Sequence, residues 1–93
     1  MIRSFKDKLT AAVAEGKAGK GFPADLVDRS KRKIRFLDAA KNLNDLRVPP
    51  GNRLEELKGD REGQHSIRIN DQWRICFTWS DGGADDVEIT DYH

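Results

Sequence analysis

The second half of the chain places cationic side chains at spacings that suit phosphate chemistry. Arg68, Arg74 and Tyr92 occupy alternating positions in three short runs where apolar and polar residues take turns, and Lys58 and Arg61 stand just before the first run. In an extended chain, successive side chains point to opposite faces. With Ile67, Trp73, Ile75, Phe77, Val87 and Ile89 turned toward a core, Arg68, Arg74 and Tyr92 share the other, open face. Guanidinium and ammonium groups on such a face would hold phosphate, and the phenol ring would stack a base. The same pattern also describes a wet sheet face with solvated charges, and residue types alone leave both readings standing.

The remaining chemical inventory is sparse. His65 and His93 are the two histidines, and neither sits in a ligand-like spacing with other donors, so no metal site is expected. His65 alternates in phase with Ile67, which predicts a packed or partly buried ring. His93 is the last residue of the sequence, where a frayed tail competes with a role in moving protons. The chain holds no nucleophile elbow, no phosphate-binding glycine loop and no cysteine–histidine signature. No cofactor is expected.

These residues need elements to position them. Residues 1–5 alternate weakly and predict a short strand. Residues 6–15 predict a helix with Leu9, Ala12 and Val13 on one side, ended by the three glycines in residues 16–21. A second helix, entered through Phe22 and Pro23, is expected to run to about Leu46, with Leu26, Ile34, Leu37, Ala40 and Leu43 forming its apolar stripe. Arg29, Lys31, Arg32, Lys33 and Arg35 crowd its remaining surface. Of these, Lys31, Arg32 and Arg35 are RNA-binding candidates, with a merely solvated helix as the alternative. Pro49, Pro50 and Gly51 break the chain. From there the period changes to two, with turns at residues 70–72 and 80–83. The expected architecture is α+β: two N-terminal helices packed on a small, mainly antiparallel sheet.

Composition sets the limits. A chain of 93 residues predicts a single domain, residues 1–93, with a core of about a dozen apolar side chains. Charged residues make up 35% of it, and the net charge of +1 hides an asymmetry. Residues 1–50 carry 12 Lys and Arg against 6 Asp and Glu, whereas residues 51–93 carry 5 against 10. Such a dipolar chain can offer one face to a polyanion. The lone Cys76 suits a reducing cytosol. No membrane span and no secretory signal are visible, so a cytoplasmic location without membrane contact is expected.

Several segments, in order, resemble one family. Residues 54–63 read L-E-E-L-K-G-D-R-E-G, similar to the L-x-x-L-K-G-D-R-x-G segment of the HigB branch of the RelE-type toxins. Ser66-Ile67, followed by Trp73-Arg74-Ile75-Cys76-Phe77, resembles the strand pair of that branch. The opening M-I-x-S-F and the ending Asp91-Tyr92-His93 fit it as well. The resemblance implies a RelE-like fold, cleavage of mRNA in the ribosomal A site without a metal, and a HigA-type helix-turn-helix antitoxin as partner. It further implies that Lys58 and Arg74 bind phosphate or stabilise the transition state, and that Asp91, Tyr92 and His93 position the substrate or move protons. Arg61 and Arg68 join Lys31, Arg32 and Arg35 as RNA-binding candidates. Two positions depart from a known relative: Glu55 replaces a histidine, and Asn70 replaces an arginine that Arg68 could substitute. The competing reading is a non-catalytic member of the same fold that binds RNA or an antitoxin.

Overall fold

The computed structural model describes residues 1–91. The first helix, α1, spans Lys8–Ala14, two residues later than the spacing predicts. Asp7 accounts for the delay: its backbone is extended and its carboxylate accepts the Thr10 N–H at 2.8 Å, so the helix begins after it. At the other end the Gly16 N–H reaches Val13 O at 2.9 Å and the Lys17 N–H reaches Ala12 O at 2.9 Å. This Schellman closure needs a left-handed residue, which Gly16 supplies with φ 86°. Buried Thr10 then ties α1 to the sheet by accepting the Ile89 N–H at 2.9 Å.

The second helix, α2, spans Val27–Ala39 and does not continue to Leu46. Ala40 turns extended, and Asn42 starts a separate 3-10 segment, Leu43–Arg47, through a capping box with Asp45. The short polar side chains of Asn42 and Asp45 offer the backbone a local alternative to further helix. Leu46 is buried all the same, so the apolar periodicity is sound while the helix boundary differs. Val27 and Ser30 join Ile34 and Leu37 on the buried side of α2.

Four strands form one antiparallel sheet in the order β1-β2-β3-β4: β1 Glu55–Glu56, β2 Gln64–Arg68, β3 Trp73–Ser80 and β4 Gly83–Asp91. The β2–β3 turn is built by Asn70, whose side-chain oxygen accepts the N–H groups of Gln72 at 2.9 Å and Trp73 at 2.8 Å. The β3–β4 turn places Asp81 and Gly82 at φ 49° and 74°, the paired positive values of a tight hairpin. The expected strand at residues 1–5 is only a loose edge. It makes two isolated parallel bridges, Ile2 with Ala84 and Phe5 with Val87.

One face of the sheet packs on the helices. Ile67, Ile69, Trp73, Ile75, Phe77, Val87 and Ile89 meet Val13, Val27, Ile34, Leu37 and Leu46 in a common core. Phe22 sits edge-on to Trp73 with ring centroids 5.0 Å apart. Strand alternation holds across β2 and β3 but is interrupted in β4. Between Thr78–Asp85 and Cys76–Glu88, β4 carries one residue more than β3, and Asp86 takes φ 52° there. This bulge shifts the inward set from Val87 and Ile89 to Ala84.

Candidate active site

The other face of the sheet gathers the charged residues. Arg68 and Arg74 are direct cross-strand partners, Arg74 is opposite Thr90, and Ser66, Cys76 and Glu88 form the adjoining row. The parity argument therefore holds for Arg68 and Arg74, but the face they share is not open. Arg74 is only 8% exposed, and Ser66 and Cys76 are buried. The segment bearing Arg53, Glu55 and Leu57 borders this face. Leu57 is buried there, and its N–H donates to Gln64 O at 2.9 Å.

Among the described residues, the hydrogen bonds that Arg74 donates go to neutral acceptors. Its Nε donates to Ser66 Oγ at 2.7 Å, and its Nη2 donates to the Arg53 carbonyl at 2.6 Å. The Glu55 carboxylate lies 4.0 Å from its Nη1. Arg53 presents that carbonyl from a left-handed backbone, φ 44°. A guanidinium fixed in this way meets an incoming anion without having to reorganise, which is what electrostatic stabilisation of developing charge requires.

The other expected site residues are distributed unevenly. Arg68 is half-buried and pairs with Asp71 at 2.5 Å, and the Arg68 hydrogen bond holds the Asp71 carboxyl below its ordinary value. Arg61 reaches Gln64 and Glu88, at 3.1 and 3.0 Å, so it carries an acidic neighbour on the same face. Lys58 is exposed, immediately before the short turn Gly59–Arg61. Asp91 pairs with Trp73, hence on the opposite side from Arg74 as alternation anticipates, and accepts from Gln72 Nε2 at 3.0 Å. Tyr92 and His93 lie outside the described residues. Lys31, Arg32 and Arg35 line a shallow depression with Asp28 on α2, the helix that covers the core face, and are not brought to Arg74.

Three cations near Arg68 are not marked as site residues by their types. Arg29 and Lys33 are four residues apart on α2, and the Lys33 ammonium is pushed below its ordinary value by burial, then by the charges of Arg29 and Arg68. Lys33 Nζ donates to the side-chain oxygen of Asn52, a wholly buried residue anchored in turn to the carbonyls of Leu46 and Val48 at 3.3 and 3.5 Å. Arg53 follows Asn52 and contributes, with Arg29, to lowering the Asp71 carboxyl. The i, i+4 spacing of Arg29 and Lys33 is visible in sequence, but not the surface that the pair meets.

His65 behaves as its phase predicts. It is half-buried and stacks with Phe77 at 6.3 Å, on the core side. Burial pushes the Cys76 thiol up, away from a reactive thiolate. Asn70 builds the β2–β3 turn, a structural use for the position that departs from the relative. Among the described residues no group of three or more His, Cys, Asp or Glu could hold a metal ion. Nor is any helix among them long and apolar enough to cross a membrane.

Residues 3–93 match the family model described as the RelE-like toxin of the type II toxin–antitoxin system HigB. The chain belongs to this HigB-like toxin family. It is 44% identical over 85 residues to Toxin HigB-1 of Vibrio cholerae, covering 90% of each chain. It is 38% identical over 93 residues to Endoribonuclease HigB of Proteus vulgaris, covering 100% of both. The fold is shared more widely. The YoeB–YefM complex of Staphylococcus aureus contains a chain that superposes with TM-score 0.62 at 17% identity, over 100% of this chain and 98% of that one. A single-residue mutant of YafQ from E. coli superposes with TM-score 0.63 at 12% identity, over 98% and 93%. The RelE-like α+β architecture expected from the sequence is thus the observed one, and the family is one whose toxins are paired with antitoxins.

Proposed function

We propose that this chain is a ribosome-dependent mRNA endonuclease, the toxin of a type II toxin–antitoxin pair. It cuts mRNA in the A site of the small ribosomal subunit in the cytoplasm and so stops translation, and a HigA-type helix-turn-helix protein restrains it. The observation that carries this reading is Arg74: a guanidinium nearly buried at the centre of the sheet's second face, pinned by Ser66 and the Arg53 carbonyl, with Arg68 beside it.

The chemistry needs no metal. The 2′-hydroxyl loses its proton as its oxygen attacks the adjacent phosphorus, the bond to the 5′-oxygen breaks, and that oxygen takes up a proton. The products are a 2′,3′-cyclic phosphate and a 5′-hydroxyl. Negative charge builds on the phosphoryl oxygens during the step, and Arg74 with Lys58 neutralises it. Tyr92 and His93 position the substrate or move the two protons, His93 being the one whose ordinary pKa lies near neutrality. Asp91, which faces away from Arg74, positions them from its hydrogen bond to Gln72. Glu55, with its carboxylate 4.0 Å from Arg74, is a candidate base where a relative carries histidine. Arg68 and Arg61 contact the RNA backbone, and Lys31, Arg32 and Arg35 add longer-range attraction to the ribosome. The sparse acid–base inventory makes the ribosome a partner in orienting the RNA. Purified protein should therefore cut mRNA on programmed ribosomes and free RNA poorly; equally fast cutting of naked RNA would overturn this reading.

A further inference from the structure

The four cations beside the Arg74 pocket form a surface of their own. Arg29 and Lys33 project from one side of α2, Arg53 leads into β1, and Arg68 closes β2. Lys33 is tied to Asn52, the residue before Arg53; Arg53 holds Arg74 through its carbonyl; Arg74 faces Arg68 across the ladder; and Arg29 stands one helical turn before Lys33 on α2. Among the described residues, Asp71 is the one carboxylate that ion-pairs with any of these four. Its placement is unequal to that of its partner. The Arg68 side chain is 24% exposed, whereas that of Asp71 is 100% exposed. Arg68 cannot follow its counter-ion into solvent without unpacking, but Asp71 can swing away with no loss of burial. Lys33 is likewise held, because its acceptor Asn52 is fixed to two backbone carbonyls.

We infer that Arg29, Lys33, Arg53 and Arg68 form a second phosphate site adjoining the cleavage centre, and that Asp71 occupies it as a displaceable stand-in for an RNA phosphodiester. One carboxylate against four cations leaves the site short of negative charge, and a phosphate offers several acceptor oxygens to cations arranged around it. Arg68, directly across the ladder from Arg74, makes the site continuous with the pocket that receives the scissile phosphate. This assignment rests on the endonuclease reading for its substrate. It adds an unassigned binding site and gives the Arg68–Asp71 pair a role as a self-imposed brake on RNA binding.

The test measures binding of labelled full-length protein to ribosomes programmed with mRNA that carries a 2′-O-methyl group at the cleavage position. Asp71→Asn should tighten binding about two- to fivefold, the range of an exposed ion pair removed from competition. Arg29→Glu should weaken it about tenfold and lower the salt slope by about one. The gain from Asp71→Asn should vanish in an Arg68→Gln background. Because Asp71 is fully exposed, its variant keeps the fold, and a thermal melt checks this. A parallel arm uses mRNA truncated at the P-site codon: a gain that survives there assigns the phosphate to ribosomal RNA, and one that disappears assigns it to mRNA. An Asp71→Asn affinity equal to or weaker than wild type in both arms overturns the inference. Failure of the wild-type protein to cleave unmodified mRNA would sink the endonuclease reading instead, so the two failures are separable.

Discussion

Two cationic surfaces of this molecule use the same side chains in different ways. On the outside of α2, Lys31, Arg32 and Arg35 stand in or near solvent with Asp28 among them. On the second face of the sheet, Arg74 is nearly buried, and its Nε and Nη2 donate to Ser66 and the Arg53 carbonyl. A solvated cation attracts RNA from a distance but must be ordered when the RNA arrives, and salt screens it. A cation already ordered by neutral acceptors needs no further orientation and acts where water is sparse. On the proposed function, charge density in the sequence would mark where RNA is drawn, and ordered hydrogen-bond partners where charge development is stabilised.

The comparison is broken most directly at Arg74. Arg74→Ala should lower single-turnover cleavage on programmed ribosomes about 10²- to 10³-fold, as for loss of one preorganised donor. Circular dichroism and a thermal melt should show the fold retained. If the variant cuts at the wild-type rate, the buried arginine is structural and the cleavage centre lies elsewhere on the molecule. A smaller loss is expected at the C-terminus. Deleting His93, or fusing a tag after it, should cost about tenfold or more in the same assay, the scale of a general acid or base, with little change in melting temperature. Wild-type cutting by that deletion beside a dead Arg74→Ala would leave the site in place without His93.

The solvated surface should respond more weakly and through binding alone. Reversing Lys31, Arg32 and Arg35 together should weaken ribosome association and flatten its salt dependence by about one unit for each phosphate no longer neutralised. The single-turnover rate at saturation should be unchanged. A collapse of that saturated rate would erase the distinction between the two surfaces, and an unchanged salt slope would reduce the helix to a solvated face.

The smallest effect is electrostatic and concerns stability. Arg68 lowers the Asp71 carboxyl below its unfolded value of about 3.9. The folded state therefore releases this proton more readily than the unfolded state does. The resulting stabilisation is present above about pH 4 and is lost as pH falls through the depressed folded value. Asp71→Asn should therefore lower the melting temperature slightly above about pH 4, and the gap from wild type should close as pH falls through the depressed folded value. A melting temperature equal to wild type at every pH would show that the pair contributes nothing to folding.

Much of the architecture is legible in the sequence because it depends on local rules. Period-two alternation puts Arg68 and Arg74 on one face and His65 on the other, and the register agrees for both. Asp81-Gly82 announces its hairpin, and the glycines after residue 15 announce the end of α1. The family motif in residues 54–63 points to Lys58 and Arg61 but says nothing of their surroundings. Where alternatives compete locally, the sequence is less decisive. The capping box of Asn42 and Asp45 ends the helical path that the apolar stripe suggests would continue. The extra residue at Asp86 breaks an alternation that otherwise runs true.

By itself, then, the order of residues determined the two helices, the inward sets of β2 and β3, and the family. Tertiary structure alone decided that the face expected to be open is bordered by residues 53–57, that Arg74 is held by a carbonyl 21 residues away, and that Lys33 reaches Asn52 across 19. The physical reason is that periodicity is a property of neighbours in sequence, which backbone geometry imposes within a few residues. A carbonyl acceptor is carried by every residue, so its partner cannot be recognised by type; only the packing of the whole chain selects which one a buried arginine finds.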